Sequence, residues 1–296
     1  MYQIKRMGWI PDPADNRDYT PEQALESVQN KEIKRKLITK QTKAAATAVD
    51  NRKYFTPIKD QQELGSCTAF ETNAMAEMLI KKTVGKIVDL SELFTYKMTR
   101  YLMGPEWENV DSGAYIRSAL GSLVRYGAPE SSRWPYKTSD YNKMPPWQVG
   151  GLADDLKGVQ YFRLDYPNTS RQGILERINK YVENRFPVGF GFNCYDSLWT
   201  SDKTGNIPFP SKNENIIGGH ALPIAGYDNN KEITNSIDGK TTKGAWMIKN
   251  SWGTEWGDKG FGWIPYQYLL TEPYPLADDF WALTKTEWVD QGLFDE

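Results

Sequence analysis

At 296 residues, 39% of them apolar and 13% aromatic, the chain is long enough to fill the cores of two packed halves. A net charge of −2 gives no long-range field for nucleic acid, and no run of 18 apolar residues offers a membrane span. Two cysteines cannot build a disulfide framework, and the opening Met1 to Pro11 lacks the apolar stretch of a secretory signal. The expected setting is therefore cytoplasmic and reducing, with secretion of a processed form as the alternative.

In chain order, residues 8–19 carry two prolines and several turn formers and read as irregular and extended. From Pro21 a charged stretch to about Val49 has helical character. Its basic run, Lys31, Lys34, Arg35, Lys36, Lys40 and Lys43, reads as a solvated helix face rather than a binding patch. Residues 68–82 then repeat Phe70, Ala74, Met78 and Leu79 at helical spacing, with Glu71 and Glu77 in the early turns and Lys81 and Lys82 last, as the helix dipole favours. A second helix starts at Ser91 and stops at Gly104-Pro105. A third runs through Ile116, Ala119, Leu120 and Leu123 to Gly127. Beyond residue 146 the pattern changes to short apolar runs at 188–192, 221–227, 245–248 and 261–264, with one helix near 172–184. The polar stretch 228–244 reads as a long hairpin loop. Three segments result: an N-terminal extension over 1–48, a helical subdomain over 49–145 and a β-rich subdomain over 146–296.

His220 is the one histidine, so any imidazole chemistry must use it. A thiol becomes a nucleophile only as thiolate, and its ordinary pKa of about 8.5 leaves little of it ionised at neutral pH without help. Cys67 opens the first helix of the helical half, where the partial positive charge of the helix N-terminus favours a thiolate.

Pro57-Ile58-Lys59-Asp60-Gln61 followed by Gly65-Ser66-Cys67, then Gly219-His220-Ala221-Leu222, then Asn250-Ser251-Trp252-Gly253 together resemble the papain-like cysteine peptidases over roughly residues 49–270. The resemblance implies an α+β fold with a helical left subdomain, a β-barrel-like right subdomain and an active site in the cleft between them. It implies Cys67 as nucleophile, His220 as base, Asn250 orienting the imidazole, Gln61 completing the oxyanion hole and Trp252 shielding the His220–Asn250 bond. Gly65, Ser66, Gly113, Ala114, Tyr115, Gly191 and Ala221 map to substrate contacts, the last several around the pocket for the side chain one before the cleaved residue. Small Gly191 and Ala221 leave room there for a bulky apolar group.

Two departures from the family pattern stand out. Leu64 and Val110 occupy the positions of a framework disulfide, where an apolar contact would replace the bridge, and the separation of His220 from Asn250 is lengthened by the 228–244 loop. Cys194 reads as a buried structural residue. The implied reaction is peptide-bond hydrolysis through an acyl-enzyme, with no metal and no cofactor, by a monomer whose partners are peptide or protein substrates. Residues 1 to about 20 are expected to lie along or across the groove and restrain an endopeptidase, with the basic stretch to Lys43 tethering them to the enzyme surface; an ordered edge packed on the back of the molecule is the alternative reading. An aminopeptidase with its cleft blocked by residues 290–296, an acyl transferase and a silent binding protein are the alternatives.

Overall fold

The computed structural model describes residues 7–21, 46–153 and 156–288. The basic run after Pro21 and the 290–296 tail lie outside the described residues. Three helices dominate the first half: α1 (Cys67–Val84), α2 (Glu92–Met103) and α3 (Ile116–Tyr126). Each boundary has a local cause. α1 ends at Gly85 in the left-handed conformation (φ +81°), α2 begins where the Ser91 hydroxyl accepts from the Phe94 N–H, and α3 stops at Gly127.

The second half is one antiparallel sheet: β1 (Ala48–Asp50), β2 (Leu156–Arg163), β3 (Val188–Tyr195), β4 (Ile216–Thr234), β5 (Thr241–Lys249), β6 (Phe261–Pro265) and β7 (Ala277–Trp288). A further helix, α4 (Arg171–Glu183), crosses between β2 and β3. The strand order is β2-β7-β3-β4-β5-β6 with β1 added on β4, and it does not close into a ring. The fold is thus the expected α+β type. The 228–244 region is not mainly loop, because β4 and β5 extend through it and the chain reverses over residues 235–240.

One core lies within the sheet half, where Phe190 stacks on Phe280 at 5.0 Å and Trp246 fills the space beside both. The other lies where α1 packs against β4 and β7 and holds Met75, Leu79, Ile116, Leu120 and Trp281. Cys67 and Ala221 belong to that second core, and so does Trp9 from the N-terminal segment. α1 is buried through most of its length, Glu71 and Glu77 included, so these two carboxylates do not sit on a solvated first turn.

Candidate active site

Cys67 is the first residue of α1, so its sulfur stands at the end where unpaired N–H groups gather. The loop before it is pinned at Gln61. The Gln61 N–H donates to the Ser251 carbonyl (2.8 Å), its side-chain amide donates to the Leu64 carbonyl (2.9 Å), and Ser251 Oγ donates to Gln61 Oε1 (2.7 Å). Tyr136 donates to the Gln61 carbonyl (2.8 Å), and its hydroxyl also lies 2.7 Å from Ser66 Oγ. Two residues earlier, Lys59 is tied to Glu77 (2.7 Å) on α1 and to Glu92 (2.5 Å) on α2. Burial opposes its charge, but Glu92, Glu77 and Asp89 outweigh that and hold it as ammonium.

His220 comes from β4, opposite Phe192 of β3. Its Nε2 is 3.0 Å from Asn250 Oδ1 just past β5, and Asn250 Oδ1 also accepts from the Ser251 N–H (2.8 Å). The Trp252 indole stacks on the imidazole (centroids 4.7 Å apart, 20° between planes) and covers that bond. Nδ1 has no hydrogen-bond partner among the described residues. A fixed imidazole with one nitrogen committed and the other open can take and return a proton.

The cleft is filled. Cys67 is 0% and His220 1% exposed, because residues 7–12 thread between the two halves. The Trp9 N–H donates to the Gly219 carbonyl (3.0 Å), the Ala114 N–H donates to the Gly8 carbonyl (2.7 Å), and the Ile10 N–H donates to the Ala114 carbonyl (3.1 Å). This is a one-residue parallel ladder between Trp9 and Ala114. Gly8 crosses at Cys67, where side chains do not fit: a Cβ on Gly8 would stand 1.9 Å from the Gly65 carbonyl oxygen, and one on Gly113 would stand 2.3 Å from the Gly8 oxygen. Met7 lies against Gly218 on the far side.

The electrostatics follow from this burial. Loss of water pushes the Cys67 thiol up to about 12, against main-chain N–H groups of Ala221, Gly8 and Thr68 that favour the thiolate. It also pushes His220 down to about 4, although Asn250 favours the imidazolium. With the segment seated, burial thus favours the neutral thiol and the neutral imidazole over their ion pair.

The Trp9 indole fills the pocket walled by Gly191, where a Cβ would meet Cε2 at 1.9 Å, with Ala221 in the same cluster. Its Nε1–H donates to Asp279 Oδ2 at 3.0 Å, and the same oxygen accepts from the Asp12 N–H at 2.8 Å. Asp279 is buried in a left-handed conformation (φ +56°) and paired with Arg163 at 2.9 Å. The Asp12 carboxylate accepts from the Trp281 indole N–H (2.9 Å), and Arg117 pairs with Asp18 (2.6 Å) further along the segment. Burial, then the Asp279 charge, raises Asp12 to about 7.

The remaining sequence expectations find their places around this centre. The Gly65 N–H donates to Asp111 Oδ1 (3.0 Å), Tyr96 donates to the same oxygen (2.6 Å), and the Gly113 N–H donates to the Tyr96 hydroxyl (3.1 Å). That polar junction spans the place where Leu64 and Val110 stand for a disulfide. Leu64 is buried, Val110 is 53% exposed, and Asp111 joins the two loops. Tyr115 leads into α3 with its ring on Trp107 (5.8 Å) rather than on the indole. Cys194 is fully buried in the sheet core. Trp9, Asp12 and Asp279 were not singled out from the sequence. Trp9 sits in a proline-bearing stretch without periodicity, and Asp279 in a C-terminal part that matches the family poorly.

A family model described as papain family cysteine protease matches residues 45–268. An uncharacterized peptidase C1-like protein of Acanthamoeba polyphaga mimivirus is 33% identical over 231 residues, covering 76% of this chain and 68% of its own. Cathepsin S of Bos taurus is 28% identical, over 70% of this chain and 55% of its own length. Among solved structures, xylellain, a cysteine protease from Xylella fastidiosa, superposes with a TM-score of 0.72 at 27% identity, covering 98% of this chain and 99% of that one.

Proposed function

Because the chain belongs to the papain family of cysteine proteases, we propose that it is an endopeptidase acting through Cys67 and held closed by its own residues 7–12. Cys67 attacks the scissile carbonyl, the Cys67 N–H and the Gln61 amide receive the oxyanion, and protonated His220 returns its proton to the leaving amine. Water then attacks the thioester with His220 as base, while Asn250 and Trp252 keep the ring in plane.

The observation that carries the endopeptidase reading is the path of residues 7–12. An extended chain enters the cleft at Met7, crosses Cys67 and leaves past Ile10, so both ends of the groove admit polypeptide. An aminopeptidase needs one end closed. Internally quenched peptides blocked at the N-terminus should be cut faster than free-amine dipeptide amides, and the reverse order would assign an aminopeptidase.

Restraint follows from polarity as well as occupancy. A substrate with its preceding side chain in the Gly191 pocket crosses Cys67 with residue numbers rising towards Gly218. In the seated segment they fall, from Trp9 in the pocket to Gly8 at the sulfur and Met7 beyond. The Gly8 carbonyl is spent on Ala114, so no scissile bond is presented to Cys67.

The lone histidine gives a direct readout. In the full chain, the His220 ring resonances should titrate near 4, because burial penalises the imidazolium. In Gly8→Ala, which cannot seat the segment, water returns and the thiolate becomes available, so the midpoint should rise to 6.5 or above. Identical midpoints in a proton NMR titration would refute the restraint.

A further inference from the structure

The pocket that holds the Trp9 indole is built of small residues along its sides and a carboxylate at its end. Gly191 forms a flat wall on which no Cβ fits, Gly219 lies against the main chain and ring of Trp9, and Ala221 completes the cluster. An apolar slot of this shape takes any large ring. Its far end is not apolar: Asp279 is 1% exposed, and its Oδ2 is 3.0 Å from the indole nitrogen. Oδ2 also accepts from the Asp12 N–H of the same segment, so a substrate that displaces residues 7–12 removes both donors to that oxygen, and a ring lacking an N–H leaves it unpaired in a buried site at a cost beyond its own fit.

Asp279 is also fixed in place. Its other oxygen pairs with Arg163 at 2.9 Å, and Arg163 is held in turn by Asp165 (3.1 Å), Asp18 (3.4 Å) and Asp278 (3.6 Å). The left-handed backbone at Asp279 is one that Asp tolerates and most residues do not. Arg163 already supplies a cation to this carboxylate, and the wall is flat, so the vacancy Trp9 leaves suits a neutral planar ring with a donor at its edge.

We infer that Asp279 is a specificity-determining residue, and that the pocket selects peptide substrates carrying an indole-type, N–H-bearing ring at the position before the cleaved residue. This rests on the proposed reading that residues 7–12 occupy the substrate groove and deepens it: the seated Trp9 is the pocket's own reference ligand.

The test uses full-length Trp9→Ala, which empties the pocket. Binding of free indole and of benzothiophene, which has the shape without the N–H, is compared by their concentration-dependent shift of the melting temperature. Indole should bind about tenfold more tightly, the discrimination expected of one hydrogen bond to a charged acceptor. In the same protein, kcat/KM for quenched peptides should be about tenfold higher with tryptophan than with phenylalanine at that position. Trp9→Ala with Asp279→Asn should lose the preference, because Arg163 takes the one remaining oxygen and the amide NH2 then faces the ring. Trp9→Ala with Asp279→Gly, which suits the left-handed backbone, should lose it as well. Equal binding of the two rings, a preference that survives Asp279→Gly, or arginine favoured over tryptophan would each overturn the assignment. Trp9→Ala turnover no faster than the parent's would count against the restraint, and the indole comparison would still decide on Asp279.

Discussion

Cys67→Ala should lose peptidase activity by a factor on the order of 10⁵ to 10⁶ while melting at nearly the parent temperature. The size of the loss follows from chemistry: with no thiolate there is no thioester, and the oxyanion site and His220 retain only the small rate that positioning gives to water. The fold should tolerate the change because it removes one sulfur from a core of larger neighbours, Met75, Ile116 and Trp281 among them. Cys194→Ala is the control: its sulfur is buried in the sheet half, and activity should persist. Steady-state hydrolysis of a quenched peptide and a melting curve for each variant decide the matter. A dead Cys194→Ala beside an active Cys67→Ala would reverse the assignment.

Gly8→Ala should raise activity by about 30- to 150-fold, the equivalent of 2–3 kcal/mol of lost seating. The added methyl would stand 1.9 Å from the Gly65 oxygen and 2.7 Å from its Cα. Those atoms are main chain, fixed by the Gly65 hydrogen bond to Asp111, so the wall cannot turn aside as a side chain would. The segment must lift, and Cys67 is then open to water. Alkylation of Cys67 by iodoacetamide should accelerate with turnover, since both report the same open state. Gly151→Ala, where an added methyl meets nothing within 4 Å, should change neither rate. A folded Gly8→Ala protein with parental rates in both assays would exclude residues 7–12 as the restraint.

Much of the fold was legible because its signals are local. Helical spacing after Cys67, the Ser91 cap and the Gly127 stop each correspond to an observed boundary, and the short apolar runs at 188–192, 221–227, 245–248 and 261–264 all lie in strands. The grouping of His220 with Asn250 was legible through the family motifs and not through periodicity. What remained hidden depends on distant pairings. Glu71 reads as a dipole-complementing residue of an early helical turn, yet β3 packs on it at Gly189 and Phe190, and burial holds its carboxyl well above the ordinary range. Trp9 and Asp279 are 270 positions apart and meet only because β7 lies beside β3. The extension of β4 and β5 through polar residues likewise arises from cross-strand pairing that composition does not reveal.

Under the restraint proposed above, the reversed run of residues 7–12 through the cleft also bears on the molecularity of activation. Since residues 7–12 offer the site they occupy no bond to cut, the segment must lift before the same molecule could cleave within it. Opening is a first-order step intrinsic to each molecule, with a lifetime set by the hold on Trp9, Asp12 and Asp18. On that reading the interval to opening is independent of the protein's own abundance, and an extended peptide that enters the open groove prolongs the open state by keeping the segment from reseating.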